Sequence, residues 1–356
     1  MSVEIWPPIS PDELKVQEDA TQARELSWLL TSLHTTLAQL RHGLEDCSAL
    51  LTPADAAGST LVLTTPRNET VKGHTTRVGT RLVRGLVHLK LRTLPPQTLA
   101  LDPARPVRVP ALTRLDAHLS RAVALCQELE AQSLQHTQTQ TPPSAPDLAA
   151  QLGTLARHIA DAGALVKGPP RPLPPRPSTA ASTNTNTSNS PQESRAQQQQ
   201  QQNQTPPDTS WTTNSISLGH FAPPLSRNLS LYITIQDACL VLYLRALEPA
   251  DAPMNFGTKL ALAIGTTRRL EHDEADRVFA YRCDEESYVE GASETGVHIG
   301  GGKDTKEVEV YVREKVRVES ADPSLLSLSA KLTALGNTLG LARRNLAAVM
   351  GEELED

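Results

Sequence analysis

Aromatic side chains are scarce in this chain, at 3% of 356 residues, and cysteine occurs only four times. With so few rings, a core has to be assembled from aliphatic side chains. Cys47, Cys126, Cys239 and Cys283 lie far apart, and three of them fall at apolar-pattern positions. That spacing argues against a disulfide framework or a thiolate metal site and for buried free thiols. No stretch approaches the roughly 20 apolar residues that a bilayer-spanning helix needs. The opening MSVEIWPPISPDE has neither the basic region nor the apolar run of a secretory signal. A cytoplasmic protein without a transmembrane segment is therefore expected, in which the sequons at Asn68, Asn186, Asn203 and Asn228 carry little weight. The net charge of −6 supplies no basic excess for nucleic acid and disfavours acidic phospholipid on the same ground.

Chemical motifs are missing as well. No histidine pair has zincin spacing, and no nucleophile-elbow sequence occurs. In the glycine-rich stretch from Gly296 to Asp304, the positions that a phosphate-binding loop fills with glycine and with Ser or Thr hold Val297 and Asp304. The acidic cluster Glu271, Asp273, Glu274, Asp276, Asp284, Glu285 and Glu286 lacks the spacing and glycine of an EF-hand. No catalytic residue, cofactor or metal is expected.

What the chain does have is leucine at helical spacing. Leu26, Leu30, Leu33, Leu37, Leu40, Leu44, Cys47 and Leu51 alternate four- and three-residue steps and so share one seam. Each such leucine gains roughly 1.5 to 3 kcal/mol on burial, so the seam demands a partner. Ser10, Pro11 and Glu13 predict a capped start, and Thr52 and Pro53 an end. The turns before the seam, ELKVQEDATQARE, carry no apolar stripe and are expected to project or fray. His34 and His42 lie off the seam and read as surface residues. The same stepping recurs at Leu112, Leu115, Leu119, Ala122, Cys126 and Leu129, and at Leu148, Leu152, Leu155, Ile159, Ala162 and Val166. A last seam, Leu325, Leu328, Leu332, Leu335, Leu339, Ala342, Leu346 and Val349, follows an Asp322-Pro323 start. Gly336 and Gly340 within it suggest close approach of a neighbouring backbone.

Between the helices the period falls to two. Residues 61–65 and 86–92 read as strands with hairpin material around Val71 to Gly79, ended by a proline-rich bridge from Pro95 to Pro110. Leu229 to Ile235, a Gln236-Asp237 turn and the apolar run 239–244 read as a second hairpin, with a further strand at 278–282. From Val308 to Val318 valines alternate with charges, Glu314 alone breaking the inward row. The opposite face, Tyr311, Arg313, Lys315 and Arg317, reads first as a solvated strand face and only second as a docking surface. Partner-binding residues stay unassigned. Residues 169–210, proline-rich and then polar with six glutamines at 197–202, cannot offset their ordering entropy and read as a disordered linker. Its start, Arg171 to Pro177, matches an SH3-ligand pattern but reads first as a stiff polyproline exit from a helix.

These elements predict an α+β protein. Residues 11–57, 106–168 and 321–351 form a discontinuous antiparallel helical bundle uniting the N- and C-terminal helices, and 58–105 with 211–320 form a mainly antiparallel sheet domain, the two excursions pairing into one sheet. Residues 1–10 and 352–356 are tails. A DNA-binding zipper would need a basic helix before the seam, and PDELKVQEDATQARE carries more acid than base. A homo-oligomer is possible but not required.

The order of motifs resembles the Rogdi leucine-zipper family, whose fungal members are the small subunit of the RAVE complex. The resemblance rests on Arg24 to Leu30, on Thr70 to Gly73 followed by Leu86 to Leu91, and on Phe221 to Leu225 leading into LSLYITIQDACLVLYLRALEP. The tract 169–210 and the stretch 284–305 are longer and more polar than the family pattern. The resemblance implies a non-catalytic subunit that binds a WD-repeat scaffold of the RAVE or rabconnectin type. Such an assembly joins the peripheral and membrane sectors of the vacuolar proton-pumping ATPase, with its peripheral-sector subunits as partners and with recruitment to vacuolar and endosomal membranes. The alternative is a generic coiled-coil adaptor in endosomal or vesicle trafficking.

Overall fold

The computed structural model describes residues 9–52, 58–139, 145–170, 209–251, 272–275, 277–282 and 307–351. Arg171 to Pro177, most of the polar tract, Cys283, the glycine-rich stretch, Glu271, Asp276, Asp284 to Glu286 and the outer parts of both tails lie outside the described residues.

Helix α1 spans Pro11–Leu51, with the Ser10 side chain accepting from the Glu13 N–H. Helices α2 (Pro110–Thr139) and α3 (Ala145–Lys167) follow, and α5 (Pro323–Met350) closes the chain, capped by Asp322 at its start and by left-handed Gly351 at its end. The four long helices pack in a ring, α1 on α2, α2 on α3, α3 on α5 and α5 on α1. Gln22 reaches the Val349 carbonyl at 2.9 Å and Lys331 reaches Asp46 at 2.7 Å, so α1 and α5 run antiparallel. The N- and C-terminal helices are thus united as the sequence implied. All four seams meet in one core.

Two details of the seams differ from expectation. Leu33, Leu37, Leu40, Leu44, Leu325, Leu328, Leu332, Leu339 and Leu346 are buried, but Leu26, Leu30 and Leu335 are only partly so, and Leu29 takes the buried place. Leu29 and Leu30 are both leucine, so composition offers either. A helix of 3.6 residues per turn drifts from a strict heptad, and near this end it selects Leu29, Leu33 and Leu37. Close approach is also not at Gly336 or Gly340, where an added Cβ would meet its nearest neighbour at 3.7 and 3.8 Å. It is at Gly43, where a Cβ would come within 2.6 Å of Leu335 Cδ2, so glycine makes room for that leucine. Before the seam α1 is exposed from Pro11 to Glu25, as its missing stripe implied.

The excursions form two sheets rather than one. The first orders β1 (Ser59–Thr64), β2 (Val71–Val78), β3 (Arg81–Leu89) and β4 (Gln97–Ala100), with β5 (Val107–Arg108) also on β3. The second orders β6 (Leu229–Gln236), β7 (Cys239–Pro249), β9 (Glu307–Ala321) and β8 (Val278–Arg282). Every pairing is antiparallel. The sheets pack face to face through Leu63, Val71, Leu89 and Leu99 on one side and Leu229, Leu231, Leu242 and Leu244 on the other. Both chain segments present a row of aliphatic side chains, and burying row against row removes more apolar surface than extending one sheet edge. The proline bridge does not end the first sheet, because Pro95, Pro96, Pro103 and Pro106 flank β4 and β5 instead of interrupting them.

The second sheet is fastened to the bundle by the tip of its β6–β7 hairpin. The turn is Asp237-Ala238, both at positive φ (48° and 59°), which is a type I′ geometry that suits a two-residue hairpin. Their N–H groups donate to the carbonyls of Lys167 and Val166 at 2.8 and 3.0 Å. Carbonyls at the end of α3 that no helical N–H could satisfy are thereby paired. Ala238 is buried in the bundle core, which offsets the cost of its left-handed backbone.

Candidate interaction surfaces

Where the bundle meets the first sheet, a buried ion pair joins three elements. Arg77, on the inner face of β2, donates from Nε to Asp322 Oδ2 at 2.6 Å and from Nη1 to the carbonyls of Leu51 and Gly79 at 3.2 and 2.7 Å. Both side chains are almost fully enclosed, at 2% and 0% exposure. The other Asp322 oxygen caps α5 by accepting from Ser324 and Leu325 N–H. One carboxylate therefore fixes the helix start and compensates a buried guanidinium, while the guanidinium closes the end of α1.

A second enclosed pair lies on the face of the second sheet turned away from the first. Arg245 forms a two-pronged contact with Glu274 at 2.8 and 2.9 Å and lies over the Trp211 ring, 4.5 Å from its centroid. Trp211 belongs to a short helix, α4 (Trp211–Asn214), and stacks near Phe279 and Tyr281. Tyr232 and Tyr243 flank the same face. A chain with only three Trp, five Tyr and three Phe thus gathers five rings here. Lys315 Nζ reaches Glu274 at 2.7 Å and Asp273 at 2.8 Å. Burial alone raises the Asp273 carboxyl, but the hydrogen bond and charge of Lys315 outweigh it and leave it below its ordinary value. Burial lowers the neighbouring His272, whose Nδ1 accepts from the Glu274 N–H. Of the acidic cluster, Asp273 and Glu274 thus act as counterions to Lys315 and Arg245.

Tyr311, Arg313, Lys315 and Arg317 do not form one solvated face. A bulge in β9 leaves Arg313 without an opposite residue, Ala246 facing Glu314 and Leu247 facing Val312. Beyond it the alternation inverts. Val316 and Val318 pack toward the first sheet, whereas Val310 and Val312 pack with Leu247, Phe279 and Trp211. Each of the three cations is engaged, Arg313 with Glu248, Lys315 as above, and Arg317 with Gln236, Tyr243 and Glu319. Glu314 breaks the row because its carboxylate accepts from the Arg92 and Thr93 N–H groups at 2.8 and 3.1 Å, tying β9 to the end of the first sheet.

Cys47 and Cys126 act as core residues. Burial pushes Cys47 up to about 11 and Cys126 up to about 12, away from thiolate chemistry, while Cys239 is half-buried and unpaired. His42 is exposed, but His34 is half-buried with an unpartnered Nδ1. Among the described residues no group of His, Cys, Asp or Glu is arranged to hold a metal ion.

A family model described as Rogdi leucine zipper containing protein matches residues 25–347. The chain belongs to the Rogdi leucine zipper family. The matched span runs from the first seam leucine to the last turns of α5 and takes in both sheets. In this Rogdi chain the zipper leucines face one another within a single bundle. No curated protein matches the chain. No described helix is long and apolar enough to cross a membrane.

The two enclosed ion pairs escaped the sequence reading. Arg245 carried a readable signal, a lone cation inside the apolar run from Leu240 to Leu247, which demands a buried counterion. Arg77 carried none.

Proposed function

We propose that this Rogdi family chain is a non-catalytic subunit of a RAVE-type complex. It binds a large WD-repeat scaffold of the RAVE or rabconnectin type and the peripheral-sector subunits of the vacuolar proton-pumping ATPase. In this reading it works from the cytoplasm, recruited to vacuolar and endosomal membranes, and promotes joining of the ATPase sectors. The observation that carries the reading is the family match over residues 25–347. The packing is compatible with it, because bundle seams consumed internally leave the sheets and the projecting start of α1 for partners.

Affinity purification of the tagged chain tests the reading: it should recover a WD-repeat scaffold together with ATPase peripheral subunits. Deletion should leave vacuoles poorly acidified and the ATPase sectors apart. Normal acidification in the deletion strain would overturn it. The second reading, a coiled-coil adaptor in trafficking, is favoured by the apolar side chains exposed along the start of α1, Leu14, Val16 and Trp28, the last at 73%. Recovery of trafficking proteins without the scaffold would select it.

A further inference from the structure

The five strands of the first sheet contain no aspartate or glutamate. Their register lays out the outer face in rungs, Thr60 beside Thr76 and Arg84, Val62 beside His74 and Leu86, and Thr64 beside Lys72, His88 and Thr98. Lys90 follows at the end of β3, its N–H held by the Thr70 carbonyl at 2.8 Å. Lys72, His74, Arg84, His88 and Lys90 are all exposed. Lys72, Arg84 and Lys90 have no carboxylate partner among the described residues. In the middle rung Val62 is 60% and Leu86 36% exposed. The net charge of −6 therefore averages over a positive sheet face and a more acidic remainder.

Like charges gathered on a surface with no ion-paired carboxylate among the described residues do not stabilise the fold, so the arrangement needs another account. The geometry points to a docking face for an extended acidic segment of a partner protein, one whose same-side residues read acidic, aliphatic, acidic. Along β3 the outward side chains are Arg84, Leu86 and His88, with Lys90 next. Same-face residues of extended chains repeat about every 7 Å in both partners. A segment lying along β3 sets its first carboxylate at Arg84, its aliphatic side chain between Val62 and Leu86, and its next carboxylates at Lys72 and Lys90. A groove of about 390 Å³ lined by Lys72, His88, Lys90 and Thr98 gives that last part a concave seat. A concave floor suits a single extended chain better than a flat anionic bilayer, and the face has no exposed aromatic residue to insert into one, while Glu69 at the groove edge leaves the attraction to Lys72 and Lys90. The inference rests on charge and shape and is independent of the RAVE reading.

The probe is a fluorescein-labelled synthetic peptide with glutamate, valine, glutamate and glutamate at successive alternate positions and serine between them. Anisotropy with the full chain should show binding that weakens with salt, and a peptide with lysine for glutamate should not bind. Combining Lys72→Glu, Arg84→Glu and Lys90→Glu should weaken binding at least about tenfold. The same charge change on exposed bundle positions, Arg114→Glu, Arg121→Glu and Arg157→Glu, should leave it within about twofold. If the reversal variant melts below the wild type, glutamine at the three sheet positions replaces it with the same expected direction. Absence of peptide binding overturns the proposal. So does equal loss in both triple variants, or capture of phosphatidylserine vesicles by this face without capture of the peptide.

Discussion

The two sheets treat their cations in opposite ways. On the second, Arg245, Lys315, Arg313 and Arg317 are matched to Glu274, Asp273, Glu248 and Glu319, and rings of Trp211 and Tyr243 cover the guanidinium of Arg245. On the first, the outward cations Lys72, Arg84 and Lys90 are exposed with no carboxylate partner among the described residues and no acid in any strand. A cation that is enclosed and matched is part of the fold, since removing its partner strands a charge in a low-dielectric site. An exposed and unmatched one contributes little to stability and stays available to a partner. The first sheet also has a matched cation, Arg77, and it is the one that points inward.

Substitutions in the bundle and on the two sheets should differ widely in effect. An uncompensated charge driven into the bundle sets the upper limit: Leu37→Asp, at a position 1% exposed, should abolish the cooperative unfolding transition seen by circular dichroism. A variant that stays folded and loses only self-association would show instead that the seam serves another chain. Next, Glu274→Ala should cost about 3–5 kcal/mol in urea denaturation, because Arg245 keeps its charge and loses its counterion. Combining Arg245→Met with Glu274→Leu should recover most of that loss, and failure to recover would mean that the cation–ring stacking matters more than the ion pair.

A smaller effect separates the faces by pH. His272 is held below its ordinary value of 6.5 by burial, so the unfolded chain takes up a proton that the folded one resists. Stability should therefore fall as pH drops below about 6.5 and recover as it rises. His272→Gln should flatten that slope in melting curves taken across this range. The smallest effect belongs to the first sheet: Lys72→Glu, Arg84→Glu and Lys90→Glu together should shift stability by less than about 0.5 kcal/mol. A larger loss would place those cations in the fold after all.

Much of the fold was legible in the residues, because helix and strand periods are local properties. The steps from Leu33 to Leu51 and from Leu325 to Leu346 defined two helices and their buried sides, and Ser10 and Asp322 marked their starts. Alternation in β3 and β6 did the same for strands. Legibility failed where a single residue decides between equivalent readings. Leu29 and Leu30 are chemically identical, and the even row from Val308 to Val318 hid a bulge that sends Val310 and Val312 to one face and Val316 and Val318 to the other. The candidate surfaces were less legible. Tyr311 to Arg317 looked like a solvated face because charge alternation is visible in a strand while its counterions are not.

Taken alone, the sequence determined the four long helices and most of the longer strands, that the leucine seams must be covered, and that the chain resembles a zipper family. The first two follow from spacing within a few turns of backbone, and the resemblance from the order of motifs along the chain. Only the tertiary structure decided that the seams cover one another, that the excursions make two facing sheets, and which of the described cations are paired. Those outcomes depend on partners far away in the chain: Asp322 lies 245 residues from Arg77, and Glu274 lies 29 from Arg245. A charge is assigned to the fold or left to a partner by whether such a counterion arrives, and no local pattern records that arrival.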